Sequence, residues 1–131
     1  MTDPGSSAGV DAAKRTIVIA DDNRDAADSL ATLLQILGHD VTVAYDGEQA
    51  FDLAASIRPD VLMLDIGMPG AGGLETARRI RGQDWGRAML LVAITGWGRE
   101  ENKKESQLAG FDHHMVKPVE IDSLLKLLDR R

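Results

Sequence analysis

Several short apolar runs of this chain each end in a polar side chain that can bind a metal ion or a phosphoryl group. These side chains are Asp21, Asp22, Asp65, Thr95 and Lys117. Carboxylate oxygens are the ligands that hard divalent cations such as Mg²⁺ prefer. A hydroxyl and an ammonium group can bind phosphoryl oxygens. If the fold brings the five side chains together, they can hold a divalent cation beside a phosphoryl group.

An alternation of strand and helix patterns predicts how the fold positions these side chains. Five apolar runs predict buried parallel strands, at residues 16–20, 40–44, 61–64, 88–94 and 113–116. Apolar residues at helical spacing predict helices at residues 24–37, 74–81, 100–108 and 121–128, and one after Asp46-Gly47. The predicted fold is α/β: a doubly wound, flavodoxin-like five-stranded parallel sheet of order 2-1-3-4-5 in a three-layer α/β/α sandwich. Because ligands of such sheets bind beyond the carboxyl ends of the strands, the polar side chains are expected at one edge.

Three segments carry more specific structural expectations. The first helix is predicted to bury a stripe of four leucines at i, i+3, i+4 and i+7 spacing, namely Leu30, Leu33, Leu34 and Leu37. The fourth helix is polar, with Leu108 and Ala109 as its apolar anchors, so it is expected to be loosely held. Residues 1–15 are rich in Gly, Ser, Ala and Asp, which predicts a flexible N-terminal tail before a single domain at residues 16–131.

The composition excludes several classes of function. The chain has 131 residues, a formal net charge of -6 and no cysteine. This charge provides no basic footprint for nucleic acid, and thiol chemistry and disulfides are excluded. The longest apolar run is too short to span a bilayer, and the N-terminus lacks the apolar core of a signal peptide. We therefore expect a cytoplasmic protein that binds neither nucleic acid nor membrane.

Four motifs, taken together, resemble the receiver domain of two-component response regulators. They are Ala20-Asp21-Asp22-Asn23, Asp65-Ile66-Gly67-Met68-Pro69 with Gly73, Ile94-Thr95-Gly96 and Val116-Lys117-Pro118, and the resemblance extends from about Thr16 to Leu128. It implies a phosphoprotein in which Asp65 accepts a phosphoryl group from a phosphohistidine of a partner kinase. It also implies Mg²⁺ as a cofactor, held by Asp21, Asp22, Asp65 and the backbone carbonyl of Gly67.

The resemblance assigns further roles around the phosphoacceptor. Thr95 and Lys117 are implied to bind the phosphoryl group and act in the switch, with a cis peptide bond between Lys117 and Pro118. His114 occupies a position that is usually aromatic in the family, so it is either a secondary switch residue or a buried or paired histidine without that role. Gly67 and Trp97 flank the approach of water in the family, and are expected to tune the lifetime towards slow self-dephosphorylation.

The resemblance also implies which proteins this chain would contact. A histidine kinase or a phosphotransfer protein would supply the phosphoryl group, and a downstream protein would bind the face of the fourth helix, fifth strand and last helix. No enzyme activity is expected beyond Mg²⁺-dependent self-phosphorylation and self-dephosphorylation. The chain is expected to be either a free-standing regulator or the receiver of a hybrid sensor kinase.

Three alternative functions remain to be weighed against phosphoryl transfer. A pure interaction module of the same fold that takes no phosphate is the main alternative, and the intact set of polar residues argues against it. A metal-dependent phosphohydrolase with an aspartyl nucleophile would carry a second acid two residues after Asp65, where this chain has Gly67. A flavin-binding flavodoxin relative would carry a Ser/Thr-rich phosphate loop after the first strand, and this chain carries acids there.

Overall fold

Buried strands alternate with helices in the computed structural model, which describes residues 14–68, 72–96 and 100–129. The strands are β1 (Thr16–Ala20), β2 (Asp40–Ala44), β3 (Val61–Asp65), β4 (Leu90–Thr95) and β5 (His113–Val116). The helices are α1 (Arg24–Ile36), α2 (Gly47–Ile57), α3 (Gly73–Arg81), α4 (Glu100–Ala109) and α5 (Ile121–Asp129), with a 3₁₀ turn at Asp84–Gly86. Within these ranges, no helix has the length and apolar character needed to cross a membrane.

The five strands form one parallel sheet in the order β2-β1-β3-β4-β5, which confirms the predicted fold. Strands β3 and β4 are buried along their whole length, as their continuous apolar sequences require, because helices cover both faces. Asp65 pairs with Ile94, and Thr95 pairs with Val116. The carboxyl ends of β1, β3, β4 and β5 therefore lie along one edge of the sheet.

Side chains from alternate positions of each strand build two separate cores. One core packs β1, β3 and β4 residues such as Ile19, Met63 and Val92 against α1 and α5. The other packs the intervening residues, such as Leu62 and Leu91, against α2, α3 and α4. Strand periodicity thus places helices on both faces, and the molecule is the predicted three-layer sandwich.

The fourth strand begins later than its sequence predicts. The apolar run starts at Ala88, but β4 starts at Leu90, whose partner is Val61, the first residue of β3. Ala88 and Met89 precede the first residue of β3 in register, so the pairing of β3 with β4 begins at Leu90. Strand length is set here by the neighbouring strand, which local sequence does not reveal.

The buried face of α1 differs from the predicted leucine stripe. Ala27, Ala31 and Leu34 are buried, whereas Leu33 and Leu37 are 39% and 45% exposed. The two alanines allow the helix backbone to lie close to the sheet, which turns the larger leucines towards the flank. The prediction was therefore right for Leu34 and wrong for Leu33 and Leu37.

The fourth helix also differs from its prediction in one anchor. Leu108, predicted to anchor α4, is 81% exposed, whereas Ala109 is buried. The prediction was therefore right for Ala109 and wrong for Leu108.

Tertiary contacts of the described chain start at Arg15, just before β1. The Arg15 backbone N–H donates to His39 Nδ1 at 3.0 Å, and Arg15 Nε donates to the carbonyl of Leu128 at 3.0 Å. These bonds join the start of the sheet to the turn after α1 and to the end of α5. Residues 1–13 of the predicted tail lie outside the described residues.

Candidate functional site

Three carboxylates meet at the carboxyl edge of the sheet. Asp21 and Asp22 directly follow β1, and Asp65 is the last residue of β3, the neighbouring strand. One carboxylate oxygen from each lies within 4.8 Å of the others. Asp21 and Asp65 are buried, and Asp22 is exposed. This is an all-oxygen donor set, open to solvent on one side, that could hold a hard divalent cation.

Backbone amides orient the two buried carboxylates. Asp21 Oδ1 accepts from the N–H of Asn23 at 3.0 Å, and Asp65 Oδ1 accepts from the N–H of Gly67 at 2.9 Å. The Asp21 backbone is itself held by its N–H bond to the carbonyl of Ala44 on β2. With one oxygen of each acid bonded to the backbone, the Oδ2 atoms remain available to other groups.

Lys117 connects the two buried acids from the end of β5, two strands from the strand of Asp65 and three from the strand before Asp21. Its Nζ lies 3.0 Å from Asp21 Oδ2 and 2.9 Å from Asp65 Oδ2. The ammonium group comes from the end of β5, and the distance to β3 is one that a long side chain can span. The peptide bond between Lys117 and Pro118 is cis, as the resemblance implied. The bond to Asp21 was not anticipated from the sequence.

Burial and charge act against each other in this cluster. Burial raises the pKa of Asp21, while the Asn23 amide and the Lys117 ammonium oppose the rise. Burial alone would lower the pKa of Lys117, but its hydrogen bonds to Asp65 and Asp21 outweigh that effect and raise it. Lys117 therefore stays charged and acts as the counterion of two acids that would otherwise repel each other.

Two further residues fix the surroundings of Asp65. Thr95 is buried at the end of β4, one strand from Asp65, and its carbonyl accepts from the N–H of Lys117 at 2.7 Å. Gly73 begins α3, where an added Cβ would lie 2.7 Å from the backbone oxygen of Asp65. Only glycine permits α3 to approach the end of β3 this closely.

Of the remaining candidate residues, Gly67 contacts an acid of the cluster, whereas the contact of His114 is with α4. Gly67 is exposed beside Asp65, to which it donates its N–H. His114 is half-buried on β5, and its Nδ1 lies 3.5 Å from the hydroxyl of Ser106, a buried residue of α4. Sequence reasoning missed Ser106, since a serine in a polar helix shows no pattern that marks it. Trp97 lies outside the described residues.

The family profile that matches this chain is the response regulator receiver domain, over residues 17–129. The chain belongs to this family. Response regulator receiver domains act in two-component signalling, with kinases and downstream effectors as their partners.

Individual receiver proteins resemble the chain over most of its length. The response regulator MprA of Mycobacterium tuberculosis is 36% identical over 109 residues, which cover 83% of this chain and 46% of MprA. The chain thus spans about half the length of that relative. Among solved structures, the chemotaxis protein CheY4 of Vibrio cholerae has a TM-score of 0.83 and 30% identity, covering 88% of this chain and 96% of that one.

A second solved receiver bears on the metal. The receiver domain of the sensor histidine kinase PA1611 from Pseudomonas aeruginosa has a TM-score of 0.82 and 28% identity, and covers 89% of this chain and 96% of that one. That structure holds a magnesium ion coordinated in its active site cleft. In this receiver, the cluster of Asp21, Asp22 and Asp65 could bind a metal ion on the chemistry of its donor atoms.

Proposed function

We propose that this receiver takes a phosphoryl group from a histidine kinase or phosphotransfer protein onto Asp65 and relays the signal by conformational switching. One observation carries the proposal: the Asp65 carboxylate lies 2.9 Å from the Lys117 ammonium and within 4.8 Å of two further acids. An interaction module that takes no phosphate would not need a half-buried ammonium group and three carboxylates at one edge of the sheet.

Asp65 is the nucleophile in this proposal. A carboxylate oxygen attacks the phosphorus of a phosphohistidine, an oxygen–phosphorus bond forms, and the phosphorus–nitrogen bond breaks to release the imidazole. Phosphoryl transfer does not require a strong nucleophile. Positioning of the reactants and neutralisation of charge therefore account for most of the rate enhancement. The Gly67 N–H holds one Asp65 oxygen in place, which leaves Oδ2 to face Lys117.

The donor atoms around Asp65 suit Mg²⁺. Asp21, Asp22, Asp65 and the backbone carbonyl of Gly67 would hold the ion, and a bound Mg²⁺ supplies neutralisation of the charge on the transferred group. Lys117 and the Thr95 hydroxyl would bind the oxygens of the phosphoryl group. Lys117 already lies beside Asp65, so it can pass from a carboxylate oxygen to a phosphoryl oxygen by a small movement.

The signal is proposed to leave through α4, β5 and α5. Phosphorylation adds charge and acceptor oxygens at Asp65, which draws Thr95 towards the acid and shifts α4. His114 links β5 to Ser106 of α4 and serves as the secondary switch residue. Leu108 on α4 is 81% exposed and Val116 on β5 is 42% exposed. Large exposed apolar side chains on this face suit a downstream protein partner.

Intact mass spectrometry tests the phosphoacceptor. After incubation with Mg²⁺ and a small phosphodonor such as acetyl phosphate, the parent protein should gain the mass of one phosphate. Asp65→Asn should gain none, whereas Asp52→Asn, which changes an exposed acid on α2, should be labelled like the parent. Stoichiometric labelling of Asp65→Asn would show that the acceptor is another residue. A folded parent that is never labelled would favour the interaction module.

A further inference from the structure

The Arg81 guanidinium joins three segments at the edge of the sheet opposite the acids: the end of α3, the stretch before β4 and the stretch before β5. Arg81 ends α3, and its partners precede β4 and β5. It donates to the carbonyls of Gly110 (2.8 Å), Gly86 (2.8 Å), Arg87 (3.1 Å) and Met89 (2.8 Å), and to Asp112 Oδ2 (2.8 Å). We call Arg81 with these five partners the Arg81 node.

Two glycines make room for the node. Gly110 has a φ of +107°, and an added Cβ there would lie 2.6 Å from Arg81 Cγ. An added Cβ at Gly86 would lie 2.0 Å from the carbonyl oxygen of Ile80. Both positions therefore require glycine for the backbone to reach the guanidinium. A planar fork of five N–H groups is specific to arginine, so lysine cannot replace it.

The node fixes the C-terminal end of α4. The amides of Gly110, Phe111 and Asp112 donate to the carbonyls of Gln107, Ser106 and Leu91. Phe111, just past the helix, is buried, as are Ser106 and Ala109. Among the α4 side chains that the structure describes, residues 104–109, the buried ones thus belong to the last turn. The same Asp112 oxygen that binds Arg81 also accepts from the N–H of Leu91, which ties the start of β4 to this end of α4.

We propose that Arg81 is a positioning residue of the switch, because the Arg81 node holds the C-terminal end of α4 while phosphorylation displaces its N-terminal end. This inference rests on the proposed function. Thr95 is the last residue of β4, whereas the node clamps the first residues of that strand. The first and last of the six residues of β4 are five spacings apart, or roughly 17 Å at about 3.3 Å per residue. A pull that starts at Thr95 therefore turns α4 about Gly110 and leaves the node in place.

We call this turning of α4 about Gly110 the pivot. Amide hydrogen exchange, with and without beryllium fluoride and Mg²⁺ as the phosphoryl mimic, tests it. In the parent, the mimic should change exchange at residues 100–105 and leave the amides of residues 110–112 unchanged, since each is held by a hydrogen bond. In Arg81→Gln and Arg81→Lys, the mimic-dependent change should extend to residues 110–112. The control is Arg79→Gln, which removes a partly exposed surface ion pair with Glu48 and should keep the parent pattern.

Two results would overturn the pivot. Equal changes at residues 100–105 and 110–112 in the parent would show that α4 moves as a rigid body. A change that stays confined to residues 100–105 in Arg81→Gln would show that Arg81 is only structural, because a structural role alters exchange with and without the mimic alike.

Two further measurements keep the experiment decisive. If Arg81→Gln does not fold, Asp112→Asn, which removes the charge of one partner, should show the same extension to a smaller degree, and a confined pattern there counts against the pivot. Intact-mass phosphorylation of the same samples separates the two proposals. An unlabelled parent contradicts the proposed function, whereas a labelled parent with uniform exchange changes contradicts only the pivot.

Discussion

Replacing Lys117 by methionine should strengthen Mg²⁺ binding while it impairs the switch. In the structure, Lys117 Nζ is bonded to Asp21 Oδ2 and Asp65 Oδ2, so the ammonium occupies oxygens of the two acids proposed to hold the ion. Methionine has nearly the same length and no charge. The ion would then bind carboxylates that no longer have a competing cation.

The size of the effect follows from the distances. Mg²⁺ binds oxygen at about 2.1 Å, and Nζ lies 2.9 Å from Asp65 Oδ2, so an ion on that oxygen lies within roughly 5 Å of the ammonium. A divalent and a monovalent cation at that distance repel by about 1.7 kcal/mol even in a water-like dielectric. Removing the ammonium should therefore lower the Kd for Mg²⁺ by roughly tenfold or somewhat more.

Isothermal titration calorimetry at pH 8 measures this change in Kd. The pH matters because loss of the ammonium removes an interaction that lowers the pKa of Asp21, and an alkaline buffer limits competition from protons. Lys126→Met, which removes an exposed lysine of α5, controls for the change in net charge and should leave the Kd unaltered. An unchanged or weaker Mg²⁺ affinity in Lys117→Met would refute the view that Lys117 and the ion share the same oxygens.

Three further predictions concern stability and signal lifetime. Because burial raises the pKa of Asp21 above 3.8, its contribution to stability is present at lower pH and is lost as the pH rises through the raised value. Without Mg²⁺, Asp21→Asn should therefore increase the unfolding free energy at pH 7, and by less at pH 3.5. Denaturation curves that show the same gain at both pH values would contradict this. Gly73→Ala should lower the free energy of unfolding in urea by about 2 kcal/mol, because its Cβ would meet the Asp65 backbone. Gly82→Ala, whose Cβ makes only ordinary contacts, should change it by less than about 0.5 kcal/mol. Equal costs for the two variants would show that the backbone around Gly73 adjusts to the added Cβ. Gly67→Asn should speed phosphate loss by roughly tenfold, because its Cβ would lie 3.4 Å from Asp65 Oδ1 and its amide could orient water. An unchanged phosphate half-life would contradict the expectation that position 67 tunes the lifetime of the phosphorylated state.

The sheet and the grouping of polar residues could be predicted from sequence because both follow from local patterns. Apolar runs such as Val61–Asp65 mark buried strands, and a parallel sheet places all their carboxyl ends at one edge. The position of Lys117 two strands from Asp65 follows from strand order alone.

Features that depend on distant partners could not be predicted. The predicted rotation of α1 about its axis was wrong, since it turned Leu33 and Leu37 towards the core. Alanines count as weakly apolar in a periodicity argument, but the small size of Ala27 and Ala31 decides which side of the helix contacts the sheet. The Arg81 node was also missed, since its side-chain partner Asp112 lies in a different supersecondary unit. An arginine at the end of a helix ordinarily predicts only a favourable charge near the C-terminus.

The bridge from Lys117 to the acids also has a consequence for ion valence. Three carboxylates and one ammonium leave the cluster with two formal negative charges. A divalent ion cancels these charges, a monovalent ion leaves one negative charge, and a trivalent ion leaves one positive charge in a partly buried site. An ion bound by the cluster would therefore be selected by valence, with Mg²⁺ favoured over K⁺ or Na⁺. It cannot distinguish Mg²⁺ from Mn²⁺ by charge, so discrimination between divalent ions must come from the size and rigidity of the oxygen cage.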